Sequence, residues 1–137
     1  KPADVLAILA NASWKREPRE ATYSGTNGYG MSTVAMLFSA LADSPEAPAG
    51  ILSKIREKSS QSAIRLKQNG EPILWVKDAG PALIDAYDRC RKAEKLAEFR
   101  DAQRSFEKML KDRSYQEEEG PQRAVDFLLQ AVPKLCR

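Results

Sequence analysis

A chain of 137 residues is long enough for one domain with its own hydrophobic core, and 42% hydrophobic with 30% charged residues is typical of a globular protein. No apolar run reaches the roughly 18 residues of a membrane-spanning helix, so the sequence predicts no membrane span. The chain contains no histidine, which excludes the commonest general base and every Ser–His or Cys–His nucleophile. The net charge of +3 alone does not identify a partner.

The N-terminal region, residues 1–31, is predicted to form a helix followed by a glycine-rich loop. Pro2 is compatible with the first turn of a helix, and the apolar residues that follow extend the predicted helix to about Trp14. Residues 15–31 are predicted to be a long loop because they contain Pro18, Gly25, Gly28 and Gly30.

The segment from Gly25 to Thr33 resembles the phosphate-binding pattern G-x-x-x-x-G-K-[ST]. Met31 occupies the position where that pattern requires a phosphate-binding lysine. The chain also lacks the alternation of strands and helices that surrounds such loops. We therefore expect no nucleotide chemistry, and the alternative is a loop that only holds an anion. Because the two cysteines are far apart and the acidic residues are scattered, the sequence also predicts no metal site, no cofactor and no enzymatic activity.

The middle of the chain, residues 32–77, is predicted to contain two helices and a β-hairpin. Ser32 or Thr33 can cap the first of these helices, and its apolar residues recur at helical spacing: Val34, Leu37, Phe38 and Leu41. Pro48 to Ser59 predicts the next helix, with Ile51, Leu52 and Ile55 facing inward.

Asn69-Gly70 predicts a two-residue turn and hence a hairpin over 62–77. This turn predicts that Leu66 pairs with Ile73 and Ile64 with Trp75, all four on one buried face. Arg65 and Lys67 are then expected on the opposite, exposed face.

A basic helix that leads into a basic hairpin resembles, over 32–77, the helix–turn–helix–wing order of winged-helix proteins. Residues 51–77 contain six Lys or Arg and two Glu, a local charge of +4. The resemblance implies nucleic-acid binding, because such cations neutralise phosphates. The candidate site residues are Lys54, Arg56, Lys58, Arg65, Lys67 and Lys77. The alternative interpretation is a solvated basic face on a structural α+β domain.

Gly80-Pro81 is predicted to start the longest helix, about 81–115, which is rich in charge. Such a helix can lie on the domain or project and pair with a partner helix. Gly120-Pro121 then predicts a last helix with Val125, Leu128, Leu129 and Val132 at helical spacing.

Cys90 and Cys136 are the two cysteines, and a helical chain of this length does not need a disulfide to fold. We therefore favour reduced thiols and a cytoplasmic location. Because the chain begins at Lys1, the sequence predicts a processed form or a fragment of a larger protein.

Together these patterns predict a mainly α (α+β) fold with about five helices, a hairpin at 62–77, a winged-helix-like core and long C-terminal helices. One domain is expected over 1–137, comprising 1–31, 32–77 and two C-terminal helices in 81–137. The expected function is a non-enzymatic binding module for nucleic acid. The alternative is a protein-interaction or oligomerisation domain that uses helix 81–115 to bind a partner helix.

Overall fold

A computed structural model describes residues 1–12, 14, 28–60, 64–68, 71–76, 79–111 and 120–137. The described residues form six α-helices and two strands. In chain order they are α1 Pro2–Asn11, α2 Gly28–Ala42, α3 Ala49–Ser59, β1 Ile64–Gln68, β2 Glu71–Val76, α4 Ala79–Lys92, α5 Leu96–Lys111 and α6 Gly120–Asp126. A π-helical turn, Phe127–Ala131, and a 3₁₀ turn, Val132–Lys134, continue α6.

The core is a bundle in which α1 and α4 each pack against both α2 and α3. Helix α5 then covers α2 and α4. Aromatic rings fill the space between these helices: the Phe38 and Phe99 centroids lie 5.0 Å apart, and Tyr87 meets Phe99 edge-on at 5.8 Å. Both distances fall in the range that aromatic pairs prefer.

The winged-helix-like core predicted for 32–77 is wrong. A helix–turn–helix unit requires its two helices to pack on each other, whereas α2 packs mainly on α1, α5 and α4, and α3 packs mainly on α1 and α4. The N-terminal helix α1 thus occupies the position next to α2 that the winged-helix prediction gave to α3. The fold is therefore a helical bundle rather than the predicted α+β arrangement around a wing.

The two strands pair with each other in an antiparallel ribbon, but the predicted register is wrong. Gln68 lies opposite Glu71 and Lys67 opposite Pro72, after which a bulge shifts the pairing so that Leu66 meets Leu74. Because proline has no N–H to donate, the ladder is interrupted at Pro72, and Ile73 becomes the extra residue. Trp75 consequently lies opposite Arg65 rather than Ile64. The predicted burial of these side chains falls outside what the structure describes.

The predicted single helix over 81–115 is also wrong, because α4 ends at Lys92 and α5 begins at Leu96. The amide of Lys95 donates to the carbonyl of Cys90 at 2.7 Å, and that of Glu94 donates to Arg91. Glu94 has a positive φ of 57°. These features form a Schellman C-cap, with glutamate in the left-handed position that usually holds glycine.

The apolar stripe predicted on the second helix is confirmed, since Val34, Leu37, Phe38 and Leu41 are all buried. The helix itself begins at Gly28, earlier than the predicted cap at Ser32 or Thr33. Helix α1 ends at Asn11, before the predicted Trp14. Trp14 is nevertheless buried, and its indole N–H donates to the carbonyl of Leu9 at 3.1 Å.

The preference for reduced thiols is wrong, because Cys90 and Cys136 form a disulfide with their Cα atoms 5.1 Å apart. The bond fastens the C-terminal residues to α4. Arg89 strengthens the same attachment by donating to the carbonyls of Leu135, Val132 and Pro133 at 3.1, 3.2 and 3.0 Å. The expectation of a cytoplasmic location rested on free thiols and loses that support.

Within the described parts of the chain, every helix is too short or too polar to cross a membrane.

Candidate functional site

The basic residues predicted to bind nucleic acid are placed on different sides of α3. Lys54 donates to the side-chain oxygen of Asn11 on α1 at 2.7 Å. Arg56 instead points to α4, where its guanidinium lies 2.5 Å from the carboxylate of Asp85 and 3.8 Å from that of Asp88. Lys58 is half-buried near the end of the helix.

Helical geometry explains this divergence, because residues two apart on a helix point about 200° away from each other. Lys54 and Arg56 therefore cannot share one face. Arg65 and Lys67 belong to β1, of which only the backbone is described, and Lys77 lies outside the described residues. Among the described side chains, the structure does not bring the predicted site residues together.

A groove of about 490 Å³ lies between α1, α2 and α5. Its volume is in the range of ligand-binding pockets. The lining comes from three helices that are distant in the chain: Lys1, Pro2, Val5, Ala35, Met36, Ser39, Ala40, Asp43, Gln103, Phe106 and Glu107. We call this feature the α1–α2–α5 groove.

Apolar side chains form most of the groove. Phe106 and Ala40 belong to the buried core and provide the floor, and Val5 is half-buried at the α1 wall. Met36 is 46% exposed on the α2 wall, and Ile8, three residues after Val5 on α1, is 61% exposed. Residues three apart on a helix are surface neighbours, so the apolar strip extends beyond the groove along α1.

Two carboxylates stand on the groove, Asp43 just after α2 and Glu107 on α5. The carboxylate of Glu107 accepts hydrogen bonds from the Lys111 ammonium at 2.8 Å and from the Gln103 amide at 2.9 Å. These bonds, with that of Lys111 the stronger influence, lower the pKa of Glu107 below its ordinary value of 4.5. Glu107 is thus held as a carboxylate on the wall of an apolar groove.

The sequence carried one signal for this groove that the periodicity analysis did not use. On α2 the buried stripe consists of Val34, Leu37, Phe38 and Leu41, and Met36 lies off that stripe. Ile8 likewise differs from its buried neighbours Leu6 and Leu9. Single apolar residues off a core-facing stripe are common on protein surfaces, so this signal identifies the groove only together with the fold.

The chain matches no family model, and no curated protein or solved structure shows significant similarity to it. Any functional proposal therefore depends on the geometry of the chain itself.

Proposed function

We propose that this chain is a non-enzymatic protein-binding module that holds an amphipathic helix of a partner protein in the α1–α2–α5 groove. The observation that carries the proposal is the apolar wall of the groove, with Met36 exposed and Val5 half-buried, beside the carboxylates of Asp43 and Glu107. Exposed Ile8 follows Val5 along α1, outside the groove. The partner helix would place aliphatic side chains on the apolar wall and a lysine or arginine toward Asp43.

A helix suits the groove better than a compact small molecule. The walls are three helices, and a further helix packs between such walls at interaxial distances of about 8 to 10 Å. The strip continues past the groove to Ile8, which a compact ligand would leave uncovered. Insertion of an amphipathic helix into an apolar groove is a recurrent mode of peptide recognition, with anchors spaced three or four residues apart.

The rim charges favour a basic partner. Asp43 is an exposed carboxylate, whereas the carboxylate of Glu107 already accepts the Lys111 ammonium at 2.8 Å, so Asp43 is the group that a basic partner residue would meet first. Lys1 is the basic residue in the lining. Rim charges of this kind mainly select the partner and its orientation, whereas the apolar contacts supply affinity.

The test is a selection from a displayed library of helical peptides, followed by fluorescence anisotropy with the best binder. We expect selected peptides to carry aliphatic residues at i, i+3 or i+4 and i+7, with a nearby Lys or Arg. Met36→Asp should weaken binding by at least about tenfold, because it places a charge on the apolar wall. Asp43→Asn should weaken binding of the basic peptide less, and mainly at low salt.

Leu129→Asp is the matched control, because Leu129 is also an exposed large apolar residue, 40% accessible, but does not line the groove. It should leave peptide binding unchanged. Equal losses in the Met36 and Leu129 variants, or selected peptides without an apolar stripe, would contradict the proposal.

Nucleic-acid binding through Lys54, Arg56, Lys58, Arg65, Lys67 and Lys77 stays a prediction. The ion pairs of Arg56 with Asp85 and Asp88 count against it, because a phosphate would have to displace two carboxylates. The same anisotropy assay with labelled DNA and RNA distinguishes the two functions. Tight, steeply salt-dependent binding that is lost when both Arg65 and Lys67 are changed to Glu would favour nucleic acid as the ligand.

A further inference from the structure

We propose that the Cys90–Cys136 centre has a second state, in which the reduced thiols and Glu98 bind a zinc ion. The two sulfur atoms and one carboxylate oxygen of Glu98 all lie within 4.8 Å of one another. Two thiolates with a carboxylate are donors that zinc accepts, and sites with three protein ligands leave the fourth position to water. The chain would then hold either a disulfide or a zinc ion at one place.

The arrangement of the three donors does not depend on the sulfur–sulfur bond alone. The Arg89 guanidinium holds the carbonyls of Val132, Pro133 and Leu135 against α4, directly before Cys136. The Glu98 carboxylate accepts the backbone N–H of Cys136 at 2.5 Å. These contacts keep Cys136 beside Cys90 and Glu98 after the disulfide is reduced, so the donor set is largely prearranged.

The three donors differ in exposure, so the site is open to solvent on one side. Cys90 is fully buried, Cys136 is half-buried, and Glu98 is exposed in the first turn of α5. A metal ion can therefore enter from the Glu98 side and meet the buried sulfur last. An entry path of this kind is one of the requirements of a usable metal site.

The chemistry of the exchange balances with a thiol reductant. Two external thiols reduce the disulfide to two cysteine thiols and are themselves oxidised to an external disulfide. Zinc then replaces the two thiol protons, which are released to solvent, while Glu98 binds as a carboxylate. In the reverse direction an external disulfide accepts two electrons and leaves as two external thiols with protons from solvent, while the Cys90–Cys136 bond re-forms and zinc is released.

The experiment uses the whole chain, reduced with a water-soluble phosphine, which becomes a phosphine oxide and does not compete as a thiol ligand. Zinc alone is titrated against a chelating indicator dye, and Cd²⁺ is used to observe the thiolate-to-metal charge-transfer band. We expect one zinc ion per reduced chain and none per disulfide-bonded chain. Zinc should also raise the melting temperature of the reduced protein, because it binds the folded state.

Glu98→Gln is the decisive variant, since it preserves both cysteines and removes one donor. Loss of an outer-sphere partner already costs roughly 10- to 100-fold in metal affinity, so loss of a ligand should cost at least about tenfold. Glu94→Gln is the matched control in the preceding turn and should bind zinc as the parent does. Cys136→Ser, which also lacks the disulfide, should bind much more weakly than the reduced parent.

Three outcomes would overturn the proposal. The first is equal zinc affinity in the parent and Glu98→Gln proteins, both folded by circular dichroism. The second is equal affinity in the urea-unfolded reduced chain, which would mean that zinc binds thiols without the fold. The third is zinc binding by the disulfide-bonded chain.

Discussion

Two regions of this molecule differ in the contacts that hold them together and in the side chains that they leave exposed. The clamped region, α4 with residues 127–137, is held by a disulfide and by an arginine that donates to three carbonyls. The α1–α2–α5 groove is held by helix packing and leaves Met36 exposed, with exposed Ile8 beyond it on α1. The comparison shows one region that is fastened covalently and another that leaves large apolar side chains uncovered.

Three arginines of α4 and α5 donate hydrogen bonds to backbone carbonyls elsewhere in the bundle. Besides Arg89, Arg91 donates to the carbonyl of Ala47 at 3.0 Å and Arg100 to that of Ala42 at 2.9 Å. Arg100 satisfies a carbonyl at the C-terminal end of α2, which would otherwise need water or a cap, and Arg91 satisfies a carbonyl in the connection before α3. These three arginines therefore have structural roles in the bundle.

The largest expected effect is loss of the disulfide. Cys136→Ser, with metal removed by a chelator, should lower the free energy of unfolding by about 2 to 5 kcal/mol, because the bond closes a loop with a sequence separation of 46. Urea unfolding followed by circular dichroism measures the loss. The reduced parent protein should match the variant, and a loss below about 1 kcal/mol would mean that the clamped region does not need its covalent bond.

Gly80 at the start of α4 should tolerate no side chain. A Cβ there would lie 2.3 Å from the Ser59 hydroxyl oxygen and 2.4 Å from its Cβ, so α3 and α4 would have to separate. We expect Gly80→Ala to cost about 1 to 3 kcal/mol in urea unfolding.

Gly50 in α3 is the matched control for Gly80, because a Cβ there meets nothing within 4 Å. Gly50→Ala should be neutral or stabilise the fold by about 0.5 to 1 kcal/mol, since alanine favours a helix interior. If both substitutions had the same effect, the close approach of α3 and α4 would be refuted.

Substitution of Arg89 should have an intermediate effect on the free energy of unfolding. Arg89→Gln deprives three carbonyls of a charged donor, and we expect a loss of about 1 to 2 kcal/mol in the free energy of unfolding. Arg104→Gln is the control, because Arg104 forms an exposed pair with Asp101 and should change stability by less than about 0.5 kcal/mol. Combined with Cys136→Ser, the Arg89 change should be non-additive, since both hold the same tail.

Substitutions in the groove should change the free energy of unfolding little and weaken peptide binding. Met36→Ala should change the free energy of unfolding by no more than about 0.5 kcal/mol, because nearly half of the side chain is exposed. The same change should measurably weaken binding of the selected peptide. A large loss of stability would place Met36 in the core and remove the contrast between the two regions.

The smallest expected effect is the titration of Glu107. Its pKa is lowered by Lys111, so its carboxylate should stay charged as the pH falls past the ordinary value of 4.5 and protonate only below it. Any stabilisation from the Lys111 bond is present above that pH and is lost as the pH falls through the lowered pKa. An NMR titration of the carboxyl carbon, with Lys111→Gln as the comparison, should show the pKa rise when the lysine is removed.

Sequence patterns predicted the elements that have strong periodicity. They failed where tertiary contacts or the backbone conformation of a single residue determine the structure. The stripe on α2 was predictable because Val34, Leu37, Phe38 and Leu41 repeat at helical spacing. The break after α4 was not, because glutamate at position 94 adopts a backbone conformation that sequence analysis assigns to glycine. Pro72 offered a usable warning of the shifted register, since proline interrupts a strand ladder.

The candidate site was less predictable than the fold. The groove combines residues near positions 5, 36 and 106, and only the packing of three helices brings them together. The disulfide likewise joins residues 46 apart, a contact that no local pattern indicates. The basic residues of α3 share a stretch of sequence, but the turn of the helix directs Lys54 toward α1 and Arg56 toward α4.

The disulfide also determines what a protease can release from this chain. Cys90 lies in α4 and Cys136 near the C-terminus, so all of α5 and α6 belongs to one covalent loop. A single cut at any peptide bond between the two cysteines leaves both fragments joined. Such a nicked molecule would migrate as two pieces on a denaturing gel only after reduction, and its two halves could stay packed as a folded protein.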